Sequence, residues 1–279
     1  MAVSGGANPL KPSQFVSCNQ MTGTGTSTVL ALILAACCSA AVFGQDAIST
    51  DVAVENDPGP IIDDHVVASF TGGNPIADVI DLALPPTADI TALHFVNENS
   101  LLLSLSITTQ LGAVVASPGD VIQWDSGEFT VLASGNDLGL GPSTAIDAIS
   151  MSGEALVFST KIADSVGGIS VSNSDLLTWT SGGGTSLLYS KDTCGIPPTT
   201  NLSGIHLLDS GHLLMSFSNA ATVGGFNLLK GDVVDCDPIT GTVQLFLRFS
   251  DIGPNWSAVG IDAVTRRLLD LIFGDGFEG

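Results

Sequence analysis

Leu213–Gly225 reads LLMSFSNAATVGG, an apolar run followed by small hydroxyls and a Gly pair. Alone, it could pass for a loop that holds a phosphate or presents a nucleophilic serine. Its counterparts upstream decide otherwise. ITALHFVNENSLLLSLSITTQLGAVVASPGDVIQWD starts at Ile90, IDAISMSGEALVFSTKIADSVGGISVSNSDLLTWT at Ile146 and LSGIHLLDSGHLLMSFSNAATVGGFNLLKGDVVDCD at Leu202, and the three align column by column. Ser104, Ser159 and Ser216 share one column, and Asp120, Asp175 and Asp232 share another, at a period of about 55 residues. A catalytic nucleophile is needed once per site, so a serine present in every unit is a structural device. The expected role is a buried hydroxyl satisfying a neighbouring backbone group, with Gly112, Gly167-Gly168 and Gly224-Gly225 permitting turns between strands. No G-x-S-x-G elbow supports a hydrolase nucleophile.

Each unit contains four short apolar stretches, in the third copy SGIHLL, HLLMSF, DVVDCD and VQLFLRF, and their alternation and β-enrichment predict strands. DPITG at Asp237–Gly241 is a hairpin turn in which Pro238 presets φ and Gly241 supplies a positive φ. Four strands per repeat mark a propeller blade, with a β-solenoid or a β-sandwich as the alternatives. The chain ends carry half-repeats: IDAVTRRLLDLIF from Ile261 opens a fourth copy, while HVVASFTGG from His65 and DVIDLAL from Asp78 resemble the later half of one. Joined, they would build one composite blade, so the expected fold is all-β, a propeller-like ring of about four blades. Its narrow axis would be filled by side chains, in keeping with the small residues Ala92, Ala148, Gly204 and Ala263 in the first strand of each copy.

Outward from the repeats, Val29–Gly44 reads VLALILAACCSAAVFG and is followed by polar residues, the layout of a secretory signal. The expected organisation is a signal region at 1–44, a linker at 45–64 with DVAVENDPGPIIDD as either linker or extra strand, a β-repeat domain at 65–273 and a tail at 274–279. The start is Met1 or Met21. Two processing routes compete, cleavage after Gly44 and lipidation at Cys37, because Leu34-Ala35-Ala36-Cys37 at 34–37 resembles the lipobox of bacterial lipoproteins. Of the five cysteines, Cys194 and Cys236 lie beyond the signal, and in an oxidising compartment they would form one disulfide.

Charge excludes several partners. With 7 Lys+Arg against 28 Asp+Glu and a net charge of −21, the chain has almost no cations with which to neutralise phosphate, so nucleic acid is excluded and anionic lipid surfaces are disfavoured. A hydrophobic share of 44% is ample for a core, which excludes a disordered chain.

Candidate chemistry is sparse. His94 and His206 share a repeat column, which would permit a metal or acid/base site near the ring axis, but the second unit has Ser150 there, so they read as satisfied strand-end histidines; His65 and His212 lie elsewhere. Asp120, Asp175 and Asp232 could serve as calcium ligands, but one aspartate per blade spreads oxygens around a ring where calcium needs convergence, and turn-forming aspartates are the better reading. No resident cofactor is expected, and calcium is the one ion the residues bring up. Trp124 and Trp179 match, and Cys236 takes their place in the third unit, which reads as blade packing. Trp256, in the loop SDIGPNWSAVG, has no counterpart and is the first place to look for a ligand contact, with a loop Trp capping the core as the commoner alternative. Asp137, Asp192 and Asp251 again fall in one approximate column, which favours scaffold over catalysis.

The tail LIFGDGFEG resembles the Phe-x-Asp-Gly-Phe-Glu ending of uncharacterised exported bacterial repeat proteins. IDAI at Ile146, IDAV at Ile261 and LLMSF at Leu213 resemble the β-propeller-like repeats of such proteins, with departures to ITAL and LSGI elsewhere. The resemblance implies a secreted or surface protein, extracellular, on the outer cell surface or periplasmic, and brings no known activity. The expected function is a noncatalytic binding or structural module, monomeric, whose loops meet an extracellular glycan, peptide or envelope component. The alternative, a secreted propeller-type glycan hydrolase or lyase, would need two carboxylates converging from different loops.

Overall fold

The structure, a computed structural model, describes residues 45–50, 65–71, 74–97, 99–252 and 261–267. Among the described residues it is all-β apart from two short helical turns. Three strands come first: β1 (Gln45–Thr50), β2 (His65–Thr71) and β3 (Asn74–Asp81). One unit then supplies β4 (Ile90–Asn97), β5 (Ser100–Leu105), β6 (Thr109–Leu111), β7 (Val114–Ala116), β8 (Val121–Asp125) and β9 (Glu128–Ala133). The next supplies β10 (Ile146–Ser152), β11 (Ala155–Thr160), β12 (Asp164–Val166), β13 (Ile169–Val171), β14 (Leu176–Thr180) and β15 (Gly184–Tyr189). A 3-10 turn at Lys191–Cys194 leads to β16 (Leu202–Leu207), β17 (Leu213–Phe217), β18 (Ala221–Val223), β19 (Phe226–Leu228), β20 (Val233–Asp237) and β21 (Thr242–Leu247). The one-turn helix α1 (Phe249–Ile252) and β22 (Ile261–Arg267) follow.

Each unit makes a four-stranded antiparallel sheet, in the orders β4-β5-β8-β9, β10-β11-β14-β15 and β16-β17-β20-β21. Between the second and third strands of each sheet stands a separate two-stranded hairpin, β6-β7, β12-β13 or β18-β19. LLMSFSNAATVGG is thereby resolved into β17, a turn, β18 and the tip of a hairpin. Val223 pairs with Phe226, leaving Gly224 and Gly225 as a two-residue turn with φ of 57° and 87°. Two positive φ values in a row suit the right-handed twist of the flanking strands, and only Gly adopts them without a Cβ penalty. The hairpins are an addition to the four strands expected per repeat. Strands of three residues are too short to show a period.

The fourth sheet runs β22-β1-β2-β3 and is composite: β22, from beyond the third unit, pairs with β1, the first described strand, at Ala47↔Thr265 and Ile48↔Val264. The half-repeat from Ile261 thus supplies the first strand. His65–Asp81 supplies the third and fourth rather than the second and third, because Gln45–Thr50, within the stretch read as linker, takes the second place.

Burial falls from first strand to fourth. β4 and β5 are buried on both faces along most of their length, β8 only at its start, and β9 is largely exposed. This explains why SLLLSL and LLMSF read as nearly unbroken apolar runs: a strand covered on both faces has no side to alternate toward. Three apolar clusters lie between neighbouring sheets. One joins Leu93, Leu103 and Ile122 to Ala263; another joins Leu102 and Val121 to Ile149 and Phe158; the third joins Val157 and Leu176 to Met215 and Val234.

The first strands also touch in sequence: β4 lies against β10, β10 against β16, β16 against β22 and β22 against β4. Their small-residue column is a requirement of this approach. A Cβ added at Gly204 would lie 2.6 Å from the Val264 backbone nitrogen and 2.7 Å from Ser216 Oγ.

Candidate functional site

The repeated aspartates enter the third strand of three different sheets, where each is consumed by backbone donors. Oδ2 of Asp120, Asp175 and Asp232 accepts from the amide of the residue three positions earlier, Ser117 at 2.8 Å, Ser172 at 2.7 Å and Leu229 at 3.0 Å. Oδ1 of Asp120 and Asp175 accepts from the amides of Gly135 and Lys191, both at 2.8 Å, immediately beyond the fourth strand. Asp232 Oδ2 lies 3.6 Å from Arg248 Nε. Each carboxylate therefore bolts the entry of its third strand, and in the first two cases also to the exit of the fourth. Among the described residues no group of three or more His, Cys, Asp or Glu side chains is arranged to hold a metal.

The repeated serines are fully buried. Ser104 donates to the carbonyls of Asp120 at 2.9 Å and Pro118 at 3.1 Å, Ser159 to Asp147 Oδ1 at 2.6 Å, and Ser216 pairs with Ser203 at 3.2 Å. None has a histidine partner among these bonds. Asp147, on β10, is the buried carboxylate of the set. Burial pushes its pKa up to about 7, although the hydrogen bonds from Ser159 and Asn201 and the charge of Lys161 act against that rise.

Cys194 and Cys236 are joined as a disulfide with Cα atoms 6.1 Å apart. Cys236 stands on β20 in the position that Trp124 occupies on β8 and Trp179 on β14; those tryptophans pack against apolar clusters, and the disulfide fills the same place in the third sheet. Trp256 and Cys37 lie outside the described residues.

Of the three carboxylates in one column, Asp137 accepts from Ser134 through its amide at 2.9 Å and its hydroxyl at 2.6 Å. Those bonds hold its carboxyl below the ordinary aspartate range. Asp192 pairs with Lys191 at 2.7 Å, and Asp251 lies in α1. Asp164 and Asp237 are likewise pulled down, by Thr144 and Thr240 hydroxyls first. Beside Asp137, the connection from β9 to β10 folds over the Ser117–Asp120 turn to bound a cavity of about 430 Å³. Its lining alternates backbone at Gly119 and Gly135 with polar Asn136 and Ser143 and apolar Leu140 and Pro142.

The first strands bring together the two histidines that share a column. His94 on β4 and His206 on β16 have ring centroids 5.4 Å apart and planes 24° apart, and are only 7% and 8% exposed. Ser150, in the same column on β10, accepts the Leu207 amide at 2.9 Å. The expectation of satisfied strand-end histidines fails at His94: its Nδ1 is buried with no hydrogen-bond partner, and burial pulls its pKa down to about 4. Column position was the signal that could have found this pair. What sequence did not show is that strands two units apart bring their side chains into contact. His212, by contrast, is half-exposed and bonds Asp235 at 2.9 Å.

No protein-family model matches the chain, and no curated protein matches it. Solved structures similar to it include the extracellular domain of a one-component system of B. thetaiotaomicron, at 9% identity and a TM-score of 0.32, covering 73% of this chain and 28% of that one. A structure described as the extracellular domain of a hybrid two-component system from the same organism gives 9%, 0.32, 74% and 30%. YCF48 bound to D1 peptide gives 14% identity and a TM-score of 0.26, covering 67% of this chain and 47% of that one. The chain spans less than half the length of each of these.

Proposed function

We propose that this chain is a noncatalytic binding or structural module, exported from a bacterial cell, and that its four sheets are the blades of a β-propeller closed by the composite sheet. One observation carries the functional reading: the aspartates that recur at the entry of the third strands, Asp120, Asp175 and Asp232, are spent on backbone amides of their own sheets. General acid catalysis needs a carboxyl whose pKa is raised toward neutrality in reach of substrate. Here the exposed Asp137 and the partly exposed Asp164 and Asp237 are lowered, and the raised one, Asp147, is sealed in the core. The cavity beside Asn136 offers amide, hydroxyl and backbone groups with an aliphatic wall, a lining suited to a neutral polar ligand such as a glycan or peptide. Export is supported by the signal-like Val29–Gly44 and by the disulfide, which belongs to an oxidising compartment.

Glycan and peptide arrays probed with the purified protein, with and without EDTA, test this reading. Retention of a ligand without turnover, equal in both buffers, is the expected result. Cleavage of an arrayed glycan would overturn it in favour of a hydrolase or lyase. Loss of binding in EDTA would overturn the metal-independent part of this reading.

A further inference from the structure

The connection that bounds the cavity beside Asn136 has a counterpart of the same length and fold in the next unit. Residues 134–144 and 190–200 give the amides of Gly135 and Lys191 to Asp120 and Asp175, the amides of Leu140 and Ile196 to the carbonyls of Gly135 and Lys191, and the amides of Thr144 and Thr200 to those of Gly141 and Pro197. What differs is the filling. Gly119, Gly135 and Gly141 line the cavity, and the second unit has Ser174, Lys191 and Pro197 in those columns. The buried Ser174 hydroxyl donates to the Thr200 carbonyl. Gly119 has no hydroxyl to give, although a Cβ there would lie 3.0 Å from the Thr144 carbonyl oxygen. The cavity of about 430 Å³ therefore stands where the first unit lacks side chains that the same backbone carries in the second.

We propose that this cavity is the binding site for a short neutral saccharide, an inference that rests on the reading of the chain as a noncatalytic binding module. Its lining is short of donors. The amides of Ser117, Asp120, Ser134, Gly135, Leu140 and Thr144 are given to protein acceptors, and the Ser134 and Thr144 hydroxyls to Asp137 and Asp164. Acceptors remain. The Thr144 carbonyl lacks the hydroxyl that Thr200 receives, and a carboxylate has about four lone-pair sites, of which Asp120 spends one per oxygen on the amides of Ser117 and Gly135. A ligand must therefore bring donors. It must also lack negative charge, because Asp120, Asp137 and Asp164 border the site and no Lys or Arg is among the described residues that line it. Sugar hydroxyls supply donors without charge, and Pro118, Leu140 and Pro142 give the C–H face of a pyranose ring an aliphatic wall, against which an ammonium would lose hydration. The volume lies at the small end of the ~300–1,000 Å³ range of small-ligand sites, which suits a short saccharide rather than a long chain.

The test is ligand-observed NMR on the full chain with the methyl glycosides of glucose, galactose, mannose and N-acetylglucosamine, and with glucosamine and glucuronic acid as charged counterparts. The expected result is binding of at least one neutral sugar and of neither charged one. The double variant Gly119→Ser, Gly135→Lys gives the first unit the residues of the second, and since neither glycine has a positive φ the substitutions meet no left-handed strain. It should keep the parent's melting temperature and weaken binding of that sugar by about tenfold or more, the loss that goes with displaced hydrogen bonds. If it does not fold, Asn136→Ala, at an exposed position of the lining, should weaken the same sugar. Preference for glucosamine or glucuronic acid, no binding of any sugar, or sugar binding that these variants leave intact would overturn the proposal and leave the noncatalytic reading standing. Release of methanol from a bound methyl glycoside would overturn that reading and the proposal with it.

Discussion

At the scale of single residues, two buried groups set opposite demands on pH. Asp147 holds its proton to about 7 in the folded state, whereas an unfolded aspartate loses it near ~3.9. Its contribution is therefore complete at low pH and is lost as pH rises from about 4 to about 7. His94, with its folded pKa near 4, does the reverse: an unfolded ring takes a proton near ~6.5, so its contribution is complete above that value and is lost as pH falls toward 4. Between about 4 and 6.5 the two slopes cancel. Relative to the parent, Asp147→Asn should gain stability as pH rises through this window and His94→Gln should lose it, each by about 3 kcal/mol in total. Urea melts at half-unit pH intervals check this. Variants whose profiles run parallel to the parent would refute both assignments. Little of this pair was legible beforehand. The column position of His94 was visible, but burial is set by the neighbouring sheets, and the column that Asp147 shares with Thr91 and Ser203 does not tell that its carboxyl is sealed from water.

At the scale of elements, the repeat made the four main strands of each unit readable because the same pattern of apolar runs occurs three times. The Gly pairs were readable as turns because two successive positive φ values, as at Gly224 and Gly225, carry no Cβ penalty for Gly; Ser126 shows that another residue can take the first of them. The β6-β7 class of hairpin was not, since TQL and ATV carry too few positions for a period. The substitution of Cys236 for the tryptophan of the other units was visible too, and the structure shows its physical sense: the covalent link to Cys194 occupies the place of a large ring. That link closes a loop over 42 residues, which by chain entropy removes about 4 kcal/mol of freedom from the unfolded state. The double variant Cys194→Ser, Cys236→Ser should lose stability of that order in guanidinium melts, and reduction of the parent should reproduce the loss. A parent indifferent to reductant would show that packing alone holds β20 and the Lys191–Cys194 turn.

At the scale of the molecule, the proposed ring depends on β22. Its residues Ile261, Ala263 and Val264 are buried, and it lies against both β4 and β16 as well as β1. Removing it would expose a few hundred Å² of apolar surface, on the order of 5 to 10 kcal/mol and comparable to the whole stability of a typical domain. A chain ending at Gly260 should aggregate, whereas one lacking only 274–279 should keep its melting temperature. A soluble monomer ending at Gly260 with an unchanged cooperative melt would replace the propeller by an open solenoid or a sandwich. The half-repeats at the chain ends announced this pairing. They misplaced its register by one strand, because Gln45–Thr50 has too little apolar character to declare itself beside IDAVTRR. The composite sheet also fixes an order of events. The strand made first among those described must wait for the one made last, a contact spanning nearly the whole described chain and therefore slow to form. Until β22 has been made, β1 lacks the neighbour with which it pairs at Ala47↔Thr265 and Ile48↔Val264, so the composite sheet can be completed only after the last described strand is available.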